Sequence, residues 1–116
     1  MPNDLKERTK KFALAALSFC SGLPDNRPVR IISGQLMRAA TSVGANYRAA
    51  CRSKSKADFI NKLSIVEEEA DECQYWLELL EHLIANRNNE LKRLESEAGQ
   101  LVAIMIQSKK TARSQD

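Results

Sequence analysis

The stretch Gln35-Leu36-Met37-Arg38-Ala39-Ala40-Thr41-Ser42-Val43-Gly44-Ala45-Asn46-Tyr47-Arg48-Ala49-Ala50-Cys51-Arg52-Ser53-Lys54-Ser55-Lys56-Ala57-Asp58-Phe59 decides the fold. It reads as the second half of one long helix, a tight basic turn and the start of another. At about 100° per residue, Val29, Ile32, Leu36, Ala39, Ala40, Val43, Tyr47 and Ala50 share one side of the first of these helices. Arg30, Arg38, Arg48 and Arg52 fall within roughly a quarter turn of one another, nearly opposite. The same helix therefore carries an apolar face and a cationic face.

The second helix of the pair has the most regular pattern in the chain. Phe59, Leu63, Val66, Ala70, Cys73, Leu77, Leu80 and Ile84 alternate in steps of four and three, a heptad seam suited to left-handed packing at about +20°. A second stripe, Ile65, Trp76, Leu79 and Leu83, lies about a third of a turn away. Tryptophan is enriched at protein interfaces, so this stripe is read as an oligomer interface; the alternative is a broad core face with Trp76 at its edge. Ser55, three residues before Asp58, suits the cap of this helix.

Working outward, Asn3 or Asp4 is expected to cap a first helix running to about Cys20, with Leu5, Phe12, Ala16 and Phe19 as its apolar stripe. Lys6, Arg8, Lys10 and Lys11 lie outside that stripe and read as a solvated face. Gly22 suits a helix C-cap, Pro24 stops continuation, Asp25-Asn26 favour a turn, and Pro28 fits the first turn of the next helix. Gly44 inside that helix costs about 1 kcal/mol relative to alanine. Close approach of a neighbouring helix to this thin, Ala-rich segment is the expected return. Asn46 is expected to hydrogen-bond across to another helix or to the connecting loop. Asn86-Arg87-Asn88-Asn89 reads as a turn. A last helix follows to about Lys110, with Leu91, Leu94, Ala98, Leu101 and Met105 inward and Thr111 to Asp116 as a frayed tail.

The expected architecture is thus all-α: one domain over residues 1–116, an antiparallel up-down-up-down four-helix bundle with helices at about 4–20, 28–52, 56–85 and 89–110. No strand, internal repeat or low-complexity segment is read, and no apolar run approaches the roughly 20 residues of a membrane span. The polar start has no apolar segment behind it, and the three cysteines lack metal-type spacing; free thiols in a reducing cytoplasm are the expectation.

Charge is unevenly spread. Residues 1–60 hold 11 Lys/Arg and 4 Asp/Glu, giving +7, and residues 61–116 hold 7 and 11, giving −4. Such a split suits an acidic partner, pairing between subunits, or neutralisation of helices within one bundle. Glu67-Glu68-Glu69, Asp71 and Glu72 form the acidic cluster. A di-metal bundle site also needs Glu-x-x-His motifs, and the single histidine, His82, does not complete one, so no metal is expected. One histidine supports no Ser/His/Asp or Cys/His set and no Gly-rich phosphate loop is present, so neither an enzyme nor a cofactor is expected.

The string Gln35-Leu36-Met37-Arg38-Ala39-Ala40-Thr41-Ser42-Val43-Gly44-Ala45-Asn46, with Asp58-Phe59-Ile60-Asn61-Lys62-Leu63-Ser64-Ile65-Val66 and Glu69, resembles the 23S rRNA intervening-sequence proteins. After Asn46 the chain departs: many members carry Ile-Ala-Glu-Gly where Tyr47-Arg48-Ala49-Ala50 stands here, which removes an acid and adds a cation. The resemblance implies an up-down bundle assembling with itself into a ring, typically a pentamer. It also implies kinship with an accessory protein of diversity-generating retroelements that binds nucleic acid and a reverse transcriptase. From the residues, the favoured function is non-enzymatic binding of structured RNA or DNA by the arc Arg30, Arg38, Arg48 and Arg52, extended by Lys54 and Lys56. The alternatives are a scaffold for a protein partner such as a polymerase, and charges that serve assembly alone, with Arg38 or Arg48 meeting Glu68 or Glu72 of the next subunit. No membrane is expected as a partner.

Overall fold

The computed structural model describes residues 2–84 and 88–115. Four helices follow one another: α1 (Pro2–Ser21), α2 (Arg27–Ala50), α3 (Lys56–Leu83) and α4 (Asn89–Ser114). Each packs on its neighbours in sequence. The bundle closes where α1 meets α4, the slightest of the helix contacts, and the diagonal pairs stay apart. The result is a rod of 51 × 20 × 19 Å. Among the described residues no helix is long and apolar enough to cross a membrane.

The heptad seam of α3 forms the core. Leu63, Val66, Ala70, Cys73, Leu77 and Leu80 are fully enclosed and Ile84 is buried, with Phe59 half-buried at the end. Against them lie Leu36, Ala39, Ala40, Val43, Tyr47 and Ala50 of α2 and Leu91, Leu94, Ala98, Leu101 and Met105 of α4. The three-four spacing of each set keeps its apolar stripe on the inside for the full length of the rod. Phe12, Ala16 and Phe19 of α1 complete the core.

Two buried polar residues join the apolar sets. Thr9 is enclosed, and its hydroxyl donates to the Leu5 carbonyl at 2.8 Å; Ser33 likewise donates to Arg30 O at 3.3 Å. A hydroxyl satisfied by its own helix can enter the core at little cost.

Gly22 follows the last residue of α1, as expected, and other helix ends depart from expectation. α1 begins at Pro2, so Asn3 and Asp4 lie inside it rather than capping it. No glycine has a positive φ, and α1 closes through Gly22 N–H to Phe19 O and Leu23 N–H to Cys20 O, at 3.2 and 3.3 Å. The cap of α2 is Asn26, whose side chain accepts from Val29 N–H at 3.1 Å with Pro28 in the first turn, and α2 ends two residues early, at Ala50. α4 continues to Ser114 because Ala112 is buried, so the helix docks where fraying was expected. The Lys56 ammonium also meets the Gln115 carbonyl, tying the end of α4 to the start of α3. Ser55 caps α3 as expected, accepting from Asp58 N–H at 3.1 Å. The turn read at Asn86-Arg87 falls outside the described residues.

Gly44 lies against α1. A Cβ built there stands 3.4 Å from the Thr9 carbonyl oxygen and 3.8 Å from Lys10 N, the limit of ordinary contact. A methyl group fits and a branched chain does not. Gly44→Ala is expected to raise stability by up to about 1 kcal/mol through helix propensity, and Gly44→Val to lower it by about 1–3 kcal/mol through overpacking, both read by urea unfolding.

Candidate nucleic-acid interface

The residues of the α2 string meet α3 in one polar network. The Arg38 guanidinium lies 2.7 Å from Glu72 Oε1 and 3.2 Å from Glu69 Oε2, and its Nε donates to Gln35 Oε1 at 3.4 Å. Ser42 Oγ donates to Glu69 Oε2 at 2.9 Å, and Asn46 Nδ2 donates to both the carbonyl and the hydroxyl of Ser42 at 2.9 Å. The hydrogen bond to Glu69, with the charge of both carboxylates, holds the Arg38 proton even more firmly than usual. Asn46 bonds back along its own helix, contrary to expectation, and reaches α3 only through Ser42 and Glu69. The pairing of Arg38 with Glu72, expected between subunits under the assembly reading, is made within one chain.

This network takes two acids of the α3 cluster out of circulation, and a third is matched by α4: the Lys109 ammonium is 2.7 Å from Glu67 Oε1 and donates to Ser64 Oγ. On the opposite side Arg8 grips Glu97 at 2.7 Å, with a further bond to Gln100. At the far end Lys92 lies between Glu81 and Glu95. Glu67, Glu69, Glu72 and Glu81 of α3 are thus committed to basic residues of the same bundle, while Glu68, Asp71 and Glu78 are exposed.

The predicted cationic arc divides accordingly. Arg30 pairs with Asp25 at 2.7 Å. Arg38 is held as described, and Lys56 is engaged by the chain end. Arg48, Arg52 and Lys54 are exposed, with no carboxylate partner among the described residues. The antiparallel topology sets them at the end of the rod where α1 starts and α4 stops. A depression there is lined by Leu5, Tyr47, Lys54, Phe59 and Ala112, among others. The same topology brings Lys6 and Lys10 of α1 beside Arg48, and Lys110 and Arg113 stand exposed in the last turns of α4. Reading α1 alone gave its lysines no role; the signal that finds them is the antiparallel pairing of α1 with α2.

The second α3 stripe shares the flank that carries Glu69 and Glu72, so it runs along the α2–α3 edge. Ile65, Trp76 and Leu79 are half-buried there, and Leu83 is exposed. Trp76 packs on the core, its Nε1 enclosed without an acceptor, and its ring meets Tyr75 at 5.0 Å between centroids.

Fold and network together define a class: an antiparallel four-helix bundle pinned across α2 and α3 by a Gln-x-x-Arg, Ser, Asn string closing on a glutamate. The chain belongs to the family described as 23S rRNA-intervening sequence protein, whose profile matches residues 3–107. It is similar to a crystal structure of a protein of unknown function from the S23 ribosomal protein family of Bacteroides thetaiotaomicron VPI-5482. The two share 32% identity and a TM-score of 0.85, over 94% of this chain and 97% of that one. A comparison with curated proteins finds no match.

The three cysteines are free and differ in setting: Cys51 is exposed, Cys20 half-buried and Cys73 enclosed. Burial pushes the Cys20 thiol up to about 11 and the Cys73 thiol up to about 12. A thiolate-selective reagent at mildly alkaline pH is expected to modify Cys51 alone in the folded protein and all three after denaturation. Rapid labelling of Cys73 in the native state would contradict this packing.

Proposed function

We propose that the protein is a non-enzymatic, oligomeric bundle that binds structured RNA, or another nucleic acid, through the basic end formed by the last turns of α2 and the α2–α3 turn. The observation that carries this reading is selective pairing. Arg30 and Arg38 have carboxylate partners inside the chain, whereas Arg48, Arg52 and Lys54 stand exposed without one. Surplus cations grouped at one end attract a polyanion and release its counterions. Tyr75 is the large exposed aromatic, and it lies toward the opposite end of α3, so recognition by base stacking has little to work with. Contact with the backbone of a folded RNA suits the surface better.

Self-assembly would multiply the effect. A ring, with five members the expected number, would repeat the cationic end in each subunit and turn modest single-site affinity into avidity. The half-buried edge of Ile65, Trp76 and Leu79, with exposed Leu83, supports a subunit contact on the α2–α3 flank. The exposed Ile31 and Tyr75 near the same flank also support a second reading, a scaffold for a protein partner.

Fluorescence anisotropy with a labelled structured RNA tests the first reading. Affinity is expected to fall steeply between low and moderate salt, and Arg52→Glu with Lys54→Glu to weaken binding about tenfold and flatten the salt dependence by about 2 in log–log slope. Binding indifferent to salt and to both reversals excludes it. A protein partner that stays bound through nuclease digestion favours the scaffold.

A further inference from the structure

The groove between α1 and α2 sets two cations that the α2 arc does not include beside one that it does. Lys6 and Lys10 on α1 and Arg48 on α2 line a groove of about 550 Å³, with no carboxylate partner for any of the three among the described residues. Its base is low because of what α2 lacks. Gly44 has no side chain and Ala45 only a methyl, and the Thr41 hydroxyl is turned to the Met37 carbonyl at 2.8 Å. Lys6 and Lys10 stand one helical turn apart, about 6 Å along the axis, the order of separation of successive phosphates on one strand. The contact of Gly44 with Thr9 and Lys10 fixes the register that brings Arg48 across from Lys6. One acid, Glu7, shares the rim.

We infer that this groove is a track for the sugar-phosphate backbone of one nucleic-acid strand, seating successive phosphates between the α1 lysines and Arg48 and leading toward Arg52 and Lys54. The inference rests on the nucleic-acid reading above and adds a path to it. A bulky side chain at Ala45 would raise the base of the groove and lift a backbone out of reach of the lysines. An unbranched strand fits a groove bounded along its length by two helices; a folded acidic domain would meet only the rim.

The test uses the intact protein, a fluorescein-labelled short RNA duplex and a salt titration. Lys6→Gln with Lys10→Gln is expected to lower the slope of log affinity against log salt by about 2, one phosphate for each lysine. Ala45→Leu alters no charge and replaces an exposed alanine with a good helix former, so folding is retained, as a circular-dichroism melt checks. It is expected to weaken binding about tenfold. If the lysine pair leaves the slope unchanged and Ala45→Leu binds like the parent, while Arg52→Glu with Lys54→Glu still weakens binding, the track is overturned and the wider reading stands. If the parent shows no salt-sensitive binding, both fall. Poly-glutamate competing as effectively as RNA of equal charge overturns the assignment to a strand.

Discussion

The α2–α3 contact, closed by Arg38 against Glu69 and Glu72, is the constraint from which the rest of the bundle follows. Apolar seams of alanine, valine and leucine attract strongly but say little about register, because burial has no direction. A guanidinium reaching two carboxylates one turn apart is directional and tolerates little sliding. Ser42 and Asn46 extend that lock along α2, and Gln35 steadies its other side. With α2 and α3 indexed in this way, the basic turn must fall at one end of the rod. In this chain the string meets a packing requirement: Arg38 and Ser42 contact Glu69 directly, and Gln35 and Asn46 brace those two residues from the same flank.

This arrangement also settles how the lopsided charge of the sequence is distributed in space. Part of the acidic charge of α3 is neutralised inside the chain, and Glu68, Asp71 and Glu78 stay exposed. Glu67, Glu69 and Glu72 are matched by Lys109 and Arg38 along the body of the rod. Exposed cations without a carboxylate partner among the described residues include Lys6, Arg48, Arg52, Lys54, Lys110 and Arg113 at the end where α1 starts and α2 and α4 stop, so that end draws on three helices.

Much of the fold was legible because the three-four spacings in α2, α3 and α4 are nearly unbroken, and a periodic stripe has few other ways to be buried. Thr9 and Ser33 were missed because polarity hides a core position when the hydroxyl bonds within its own helix. The end of α4 was set too early because its last turns are polar except for Ala112, whose burial depends on the neighbouring helix start. Asn46 was read as reaching across because sequence places a residue on a flank without saying which neighbour has already filled the gap. Arg30, Arg38 and Arg48 share one side of α2 and Arg52 follows its end, but a helical wheel treats the helix as alone. Angles that differ by less than a quarter turn place Arg38 over α3 and Arg48 over α1, and that small difference separates a structural cation from a free one.

The slight contact between α1 and α4 has a kinetic meaning. The extensive helix contacts all join elements adjacent in sequence, so three successive hairpins account for most of the tertiary structure. Only the closing seam demands that the two ends of the chain find each other. Low contact order of this kind favours rapid folding.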